Sequence, residues 1–540
     1  MAFWANEPVE RMDRPYGRRW WALAVLCLSL LLAVMANTSL TVAAPDMIDD
    51  LALSPTGLQW VIDGYTVPYA ALMLVLGAVG DKYSRRGALV AGLLILGAGS
   101  LAGALADTST GVIAARAVMG AGAAMIMPAT LSLLAAVFPR SERVTAIILW
   151  SATAGVAIAL GPLVAGLLLK QYGWASAFAM NIPVAALAVL GAFLLVPPSK
   201  AVDYGRIDLV GGALSVLWIG ALVYVVIQAA HLGWATPEVV TATVVAVGGC
   251  ALFIGWELRH PQPVLNVRLF RRRRFTGANL AVVLFFVAVF GAFYFLTQYL
   301  QFVLGLTPLE TGVRMVPLAL AVFAGSALTG VLTRRFGMRV TVTAGMLGGT
   351  AALLLFARVD GSSGYADLVL PLILLGLANG LALSPCTEAI MGEFPESELG
   401  IGGAVNDTSL ELGGSLGIAV LGSVLAGSYT DRLRETVGDR APAEALAAAE
   451  ESVGAGLAVA AETARHAGPE AGRNMLAAVT DSFADAVART GLVGAVILGV
   501  GTILVAVVLP GRKRNPDVPA APAASGIPAA PVREPVSARR

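Results

Sequence analysis

The sequence predicts an all-α polytopic membrane protein, and three observations carry that expectation. Of 540 residues, 57% are hydrophobic and only 13% charged, at a mean hydropathy of +0.78. A soluble domain carries about a quarter charged residues, so this much apolar surface has no place in a water-soluble globule. The apolar residues come in runs of about 20, the length that crosses a hydrocarbon core. The basic residues fall in alternate breaks between those runs, as cytoplasmic loops require.

Spans are expected near residues 20–43, 58–80, 88–106, 111–135, 145–169, 175–196, 207–230 and 236–257, then 276–304, 308–333, 338–357, 366–391, 398–428 and 489–510. They are rich in Gly and Ala, as helices packed on helices in lipid should be. With a cytoplasmic N-terminus, the inner breaks hold Arg11, Arg14, Arg18 and Arg19, then Lys82, Arg85 and Arg86, Arg140 and Arg143, Lys200 and Arg206. Arg259, Arg268, Arg271 to Arg274, Arg334, Arg335, Arg339, Arg512, Lys513 and Arg514 continue the series. The outer breaks hold Lys170 and Arg358 and are otherwise acidic, with Asp46, Asp49, Asp50 and Asp107. One miscounted span would shift the pattern by a loop, so the charges support the whole count. The inner break at Glu393, Glu396 and Glu398 departs from it.

This divides the chain into a cytoplasmic N-tail (1–19), a six-helix bundle (20–196), two extra spans with a basic linker (197–275) and a second six-helix bundle (276–510). A long Ala-rich outer loop is expected at 429–488, with helix-like runs, and a Pro- and Ala-rich tail at 511–540 reads as disordered. The expected location is the cell membrane, with both termini cytoplasmic and the chain a monomer.

Several functions are excluded early. A net charge of +1 gives no footprint for nucleic acid. Cys27, Cys250 and Cys386 sit in apolar runs without CxxC spacing, so neither a disulfide nor a metal site is expected. No phosphate-binding GxxxxGK[ST] stretch, HExxH or GxSxG occurs, and His231, His260 and His466 lie in or near loops. An enzyme is not expected, nor a bound cofactor. The first span looks too long, and too poor in small residues at its end, for a cleaved leader.

The break between spans two and three is dense in glycine and charge: Gly77, Gly80, Asp81, Lys82, Arg85, Arg86 and Gly87. The glycines let two helix ends approach, and Asp81 is placed to oppose a positive helix end. Arg85 and Arg86 need an acid across the bundle, and Glu142 in the next inner break is the candidate. Such a cluster is either a latch that holds one conformation or a basic loop that only sets topology.

Gly77-x-x-x-Asp81-Lys82-x-Ser84-Arg85-Arg86-Gly87 resembles the loop 2–3 signature of the major facilitator superfamily. Ile113 to Gly122, with Arg116 and Gly120, resembles that superfamily's fourth-helix motif. Gly155 to Gly166, with Gly161 and Pro162, resembles its fifth-helix antiporter motif, in which proline and glycines let a helix bend and pack closely. Trp60-Val-Ile-Asp63-Gly-Tyr65 resembles the second helix of the 14-span drug:proton antiporters, the QacA/EmrB-type efflux pumps. The resemblance covers roughly residues 15–510. It implies two six-helix bundles of inverted three-helix repeats, with spans seven and eight as an extra pair. One position departs: where the family often reads Asp in the first span, this chain has Ala36, followed by Asn37.

Ionisable residues inside the spans cost at least ~2.5–3.5 kcal/mol each and are functional candidates by default. Asp63 and Arg116 lie at similar depth, either as a static pair between helices or with Asp63 as a proton site. Asp407 and Glu411, four apart, share one helix face and resemble the acidic pair in span thirteen of the quaternary-ammonium pumps. Their other reading is hydrated acids near the cytoplasmic end. Glu388 is a third candidate. Span nine clusters aromatics, with Phe290 and Tyr294 followed by Gln298 and Gln301; this suits flat or cationic cargo or plain packing. Asn37, Tyr65, Asn379 and Asn406 complete the candidate cavity lining.

The first functional expectation is a secondary exporter of amphipathic or cationic small molecules by proton antiport. The second is an exporter or facilitator of a lipid or metabolite without proton coupling, which Ala36 makes serious. A receptor or scaffold using residues 429–488 is the third, and the intramembrane acids argue against it.

Overall fold

A computed structural model describes residue 12 and residues 14–51, 53, 55–201, 207–438 and 441–511. The first eleven residues, Arg206, and the tail from 512 with Arg512, Lys513 and Arg514 lie outside the described residues, so the reading of that tail as disordered is not addressed. Every regular element is helical, and no strand occurs among the described residues. Fourteen helices are long and apolar enough to cross a membrane.

The first six spans are α1 (Arg19–Thr38), α3 (Pro55–Tyr83), α4 (Arg85–Ala104), α5 (Ser109–Val137), α6 (Arg140–Tyr172) and the pair α7 (Ser176–Ala179) and α8 (Asn181–Leu195), with α2 (Leu40–Leu51) after the first. Two more follow, α9 (Leu209–Leu232) and α10 (Pro237–Glu257). The rest are α11 (Arg273–Gln298), α12 (Pro308–Arg314) with α13 (Val316–Phe336), α14 (Met338–Phe356), α15 (Tyr365–Met391), α16 (Leu399–Val437) and α19 (Pro469–Val508). Between the last two lie α17 (Ala443–Glu450) and α18 (Val453–His466).

Local chemistry sets many of these ends. Ser84 caps α4 by accepting from the Gly87 amide, Thr108 caps α5 through Gly111, and Asp208 caps α9 through Val210 and Gly211. Thr307 and Glu310 form a reciprocal capping box on α12. With no driving force from water inside a bilayer, helix pairing depends on close packing. Helices α1 to α8 pack chiefly on one another, as do α11, α13 to α16 and α19, while α12 packs chiefly on α6. The two groups meet where α16 lies against α3 and α5, and where α6 lies against α12, α13 and α15. Helix α9 wedges between α3 and α16, while α10 packs on α9.

The α13–α15 contact shows what glycine supplies. A Cβ at Gly380 would collide with the Ser326 amide and the Val322 carbonyl of α13. Gly380→Leu is expected to cost about 3 kcal/mol or more, since backbone cannot yield as a side chain does. Thermal unfolding in detergent reads this directly. Gly248→Leu on the open face of α10, where nothing lies within 4 Å, should leave the melting temperature unchanged.

Two expectations need correction. The first span does not run to residue 43: α1 ends at Thr38 and the chain restarts as α2. The 429–488 segment, expected as an outer loop with helix-like runs, is helical over most of its length. Helix α16 continues to Val437 and α19 begins at Pro469, each about 60 Å long at 1.5 Å per residue, twice a ~30 Å hydrocarbon core. Their projecting ends hold α17 and α18. Tyr429 stacks edge-on against Phe483 at 6.0 Å and donates to the Ala449 carbonyl at 3.1 Å. Arg432 pairs with Asp485 at 2.7 Å and Arg434 with Glu450 at 2.6 Å. Hydropathy misses these extensions because alanine, glutamate and arginine favour helix while the interspersed charges keep the segment from reading as an apolar run.

Candidate functional site

One end of the bundle, the end that carries the 77–89 break, is closed by a carboxylate. Asp81 is fully buried. Its Oδ1 accepts from Arg85 Nε at 2.7 Å, and its Oδ2 accepts from the backbone amides of Gly400 at 2.6 Å and Ile401 at 3.3 Å. Those amides begin α16, whose N-terminus carries unpaired donors and a partial positive charge. Arg85 spreads its other donors to Ser199 Oγ at 3.1 Å and the Glu396 carbonyl at 2.5 Å. Arg86 donates to the Val196 carbonyl at 3.2 Å. Gly77 permits the approach: a Cβ there would lie 2.7 Å from the Gly400 carbonyl oxygen.

The acid expected to partner Arg85 and Arg86 is therefore the wrong one. Glu142 pairs instead with Arg19 at 2.6 Å, at the starts of α6 and α1. That pair is partly exposed and links two helices of the same bundle, so Glu142→Ala should leave transport within about twofold, as exposed ion pairs contribute little. Transport assays on Glu142→Ala beside Asp81→Asn separate the two roles.

Arg116 forms a second focus. It is fully buried, yet none of its hydrogen bonds reaches Asp63. Nε donates to the Val61 carbonyl at 2.9 Å, Nη1 to the Ala36 carbonyl at 2.9 Å, and Nη2 to the Ile62 carbonyl at 3.2 Å and Asn37 Oδ1 at 3.4 Å. Tyr65 lies under the guanidinium at 4.5 Å and donates to the Ala33 carbonyl at 2.8 Å. Only the Ala36 carbonyl belongs to the last turn of α1, where carbonyls lack helical partners and a cation is favoured; the Val61 and Ile62 carbonyls lie inside α3. Of the two readings, the static Asp63–Arg116 pair has no hydrogen bond to support it; Arg116 ties α1 to α3 through backbone carbonyls, with half-buried Asp63 near enough to feel its charge. Tyr65 and Arg116 belong to this anchor, and Tyr65 is buried rather than lining an open cavity.

The third focus is on α16. Asp407 is fully buried and Glu411 half-buried, so the reading of both as hydrated acids at the membrane edge fails for Asp407. Thr387 Oγ1 on α15 donates to Asn406 Oδ1 at 3.0 Å, and Asn406 Nδ2 donates to Asp407 Oδ1 at 2.9 Å. Asp407 Oδ2 has no hydrogen bond among the described residues. Asn406 is therefore a buried relay, not cavity lining. A carboxyl so placed can bind a proton or meet a cation, and no Lys or Arg pairs with it among the described residues.

The remaining candidates are scattered. Glu388, near the end of α15, is half-buried and faces the charges of Arg274 and Arg143. Phe290 packs on Gly414 of α16, and Tyr294, 42% exposed, lies beside Gly422. Gln298 and Gln301 are half-buried around a π-helical turn at Tyr299–Val303, and Asn379 and Asn37 are half-buried. Gly155 faces Val322 of α13, Gly161 faces Thr38, and Gly166 faces Val42. Helix α6 runs unbroken through Pro162.

A latch at the end of span two, a buried arginine in span four and acids in span thirteen occur here in one helical frame. The family model described as Major Facilitator Superfamily matches residues 26–418. The chain belongs to that superfamily. Among relatives within it, the multidrug resistance protein Stp of Mycobacterium tuberculosis is 34% identical over 400 residues, 74% of each chain. The multidrug efflux pump LfrA of Mycolicibacterium smegmatis is 33% identical over 448 residues, 82% of this chain and 88% of that one. The solved structure of the human organic anion transporter TETRAN covers 90% of this chain and 99% of its own, at a TM-score of 0.59 and 14% identity. That likeness shows the fold alone.

Sequence reasoning missed several residues of this superfamily member's site. Ser199, Glu396 and Gly400 complete the latch, and Thr387 completes the relay to Asp407. Ser409 donates to Asn279 Oδ1 at 2.8 Å, tying α16 to α11. Tyr69, buried between α3 and α16, was also missed. The only sequence signal for it was a polar aromatic one helical turn after Tyr65.

Proposed function

We propose that this transporter exports hydrophobic or cationic compounds by proton antiport through alternating access. It would do so as a monomer in the cell membrane, with both termini cytoplasmic and no bound cofactor. The observation that carries the reading is Asp407, a buried carboxyl with one unpartnered oxygen at the meeting of the two helix groups. Multidrug resistance and efflux proteins among the relatives support the cargo class. The closed latch at Asp81 supports alternating access, because a contact between helix groups that can form and break is what a rocking carrier needs. On this reading residues 20–196 and 276–510 are the moving bundles and 197–275 an accessory pair with its linker.

A second reading, transport of a lipid or metabolite without proton coupling, draws on Ala36, which supplies Arg116 with a backbone carbonyl and no titratable group. Expression in a pump-deficient bacterium separates the two. Antiport predicts low ethidium accumulation in energised cells that rises to the control level when a protonophore is added. Accumulation equal to the control before the protonophore would overturn it.

A further inference from the structure

Helices α3 and α16 run antiparallel in register. Gly77 meets Gly400 and Ala404, and one turn back Met73 Sδ meets Thr408 Oγ1 at 3.9 Å. Another turn back, Ala70 shares an apolar cluster with Leu412. The same step places Tyr69 level with Glu411. Tyr69 is 5% exposed, and its hydroxyl makes no hydrogen bond among the described residues. Its ring packs on Tyr65 at 5.7 Å, and Tyr65 in turn carries Arg116 on its face at 4.5 Å.

The register sets Tyr69 level with the acids of α16, and the stacked Tyr69–Tyr65 pair leads from there to Arg116. We propose that Tyr69 is a positioning residue for proton coupling, which carries the protonation state of Glu411 and Asp407 across the bundle interface to the Tyr65–Arg116 anchor. The proposal rests on the antiport reading above and adds a route to it. The chemistry is that of a hydroxyl beside a carboxyl. Tyr69 O–H donates to a deprotonated carboxylate, a charge-assisted and therefore strong hydrogen bond. When the carboxyl takes a proton it becomes a weaker acceptor, and the hydroxyl is released. No proton leaves Tyr69 in this cycle; only its partner changes. Because the ring is packed on Tyr65, gaining or losing that bond biases the anchor between two arrangements, which is what coupling through packed side chains requires.

The groups that face this switch are few. From α16 come Glu411 and Asp407, the latter held by Asn406. From α3 comes Tyr65, and behind it stands Arg116 of α5 with Asp63 beside it. No Lys or Arg is hydrogen-bonded to Asp407 or Glu411 among the described residues, so Tyr69 has no cation to compete with at the acids.

The test is Tyr69→Phe in proteoliposomes, with ethidium-driven proton movement measured from pH 5.5 to 8.5 beside wild type, Glu411→Gln and the double variant. Phe keeps the ring packing, and a monodisperse elution profile checks the fold. Tyr69→Phe is expected to retain ethidium binding within about threefold, to lose at least tenfold of proton-coupled exchange and to shift the pH midpoint. The double variant should be no worse than Glu411→Gln alone, since both remove the same link. If wild type exchanges protons and Tyr69→Phe has the wild-type pH profile with additive effects in the double variant, the inference is wrong and the antiport reading stands. If wild type itself moves no protons, the reading fails and this inference fails with it.

Discussion

Asp407→Asn is expected to abolish proton-driven cation uptake into everted vesicles while leaving the protein folded. The substitution keeps shape and keeps an oxygen to accept from Asn406, so the Thr387–Asn406 relay survives. It removes the ability to gain and lose a proton at a site where no cation partner holds the carboxyl. The expected loss is about 100-fold or more, the scale seen when a positioned proton carrier is removed. Glu411→Gln, at a half-buried position one turn along α16, is expected to lose less, because water can serve part of its role. Equal uptake by wild type and Asp407→Asn across an imposed pH gradient would show that the proton path lies elsewhere.

The second large effect concerns the latch. At Gly400 a Cβ would lie 2.6 Å from the Gly77 carbonyl oxygen and 2.8 Å from Asp81 Oδ2. Gly400→Val therefore pushes α16 off α3 and breaks the hydrogen bonds that hold Asp81. Charge-assisted hydrogen bonds of this kind are worth about 1.5–3 kcal/mol each, and each 1.4 kcal/mol is about a tenfold change in population. A cysteine introduced at Ala404, fully buried against Gly77, reports the change. In a background lacking Cys27, Cys250 and Cys386, it should react with a membrane-permeant thiol reagent slowly. Adding Gly400→Val should speed labelling at least about tenfold and depress transport. Asp81→Asn should act in the same direction with smaller effect, because Asn keeps an acceptor for the α16 amides. Unchanged labelling in Gly400→Val would mean that this contact does not close the path.

The fold was legible because membrane helices declare themselves by length and composition. All fourteen spans fall where hydropathy placed them, most within a few residues at each end. The misses have one cause each. Hydropathy stops where a helix leaves the bilayer, so the far halves of α16 and α19 were read as a loop. The charge at Arg116 is tolerated because backbone carbonyls of α1 and α3 and the Asn37 side chain accept from it, and backbone acceptors leave no mark in the sequence. The candidate site was half legible. Charged residues inside spans stood out because they are costly there, so Asp63, Arg116, Asp407 and Glu411 were named as candidates. Their partners were not, since backbone amides at a helix N-terminus and carbonyls at a helix C-terminus carry no side-chain signature. The Asp81–Gly400 contact spans more than three hundred residues of sequence, and only the fold brings its two halves together.

On the antiport reading, protons drive cation export. The direct measurement uses purified wild-type protein in liposomes that contain a pH-sensitive dye. With a proton gradient imposed across the membrane, ethidium is added on one side. Coupled antiport predicts a dye signal that depends on ethidium, saturates with its concentration and vanishes in Asp407→Asn. Ethidium crossing at the same rate with no proton movement, in wild type and variant alike, would contradict it.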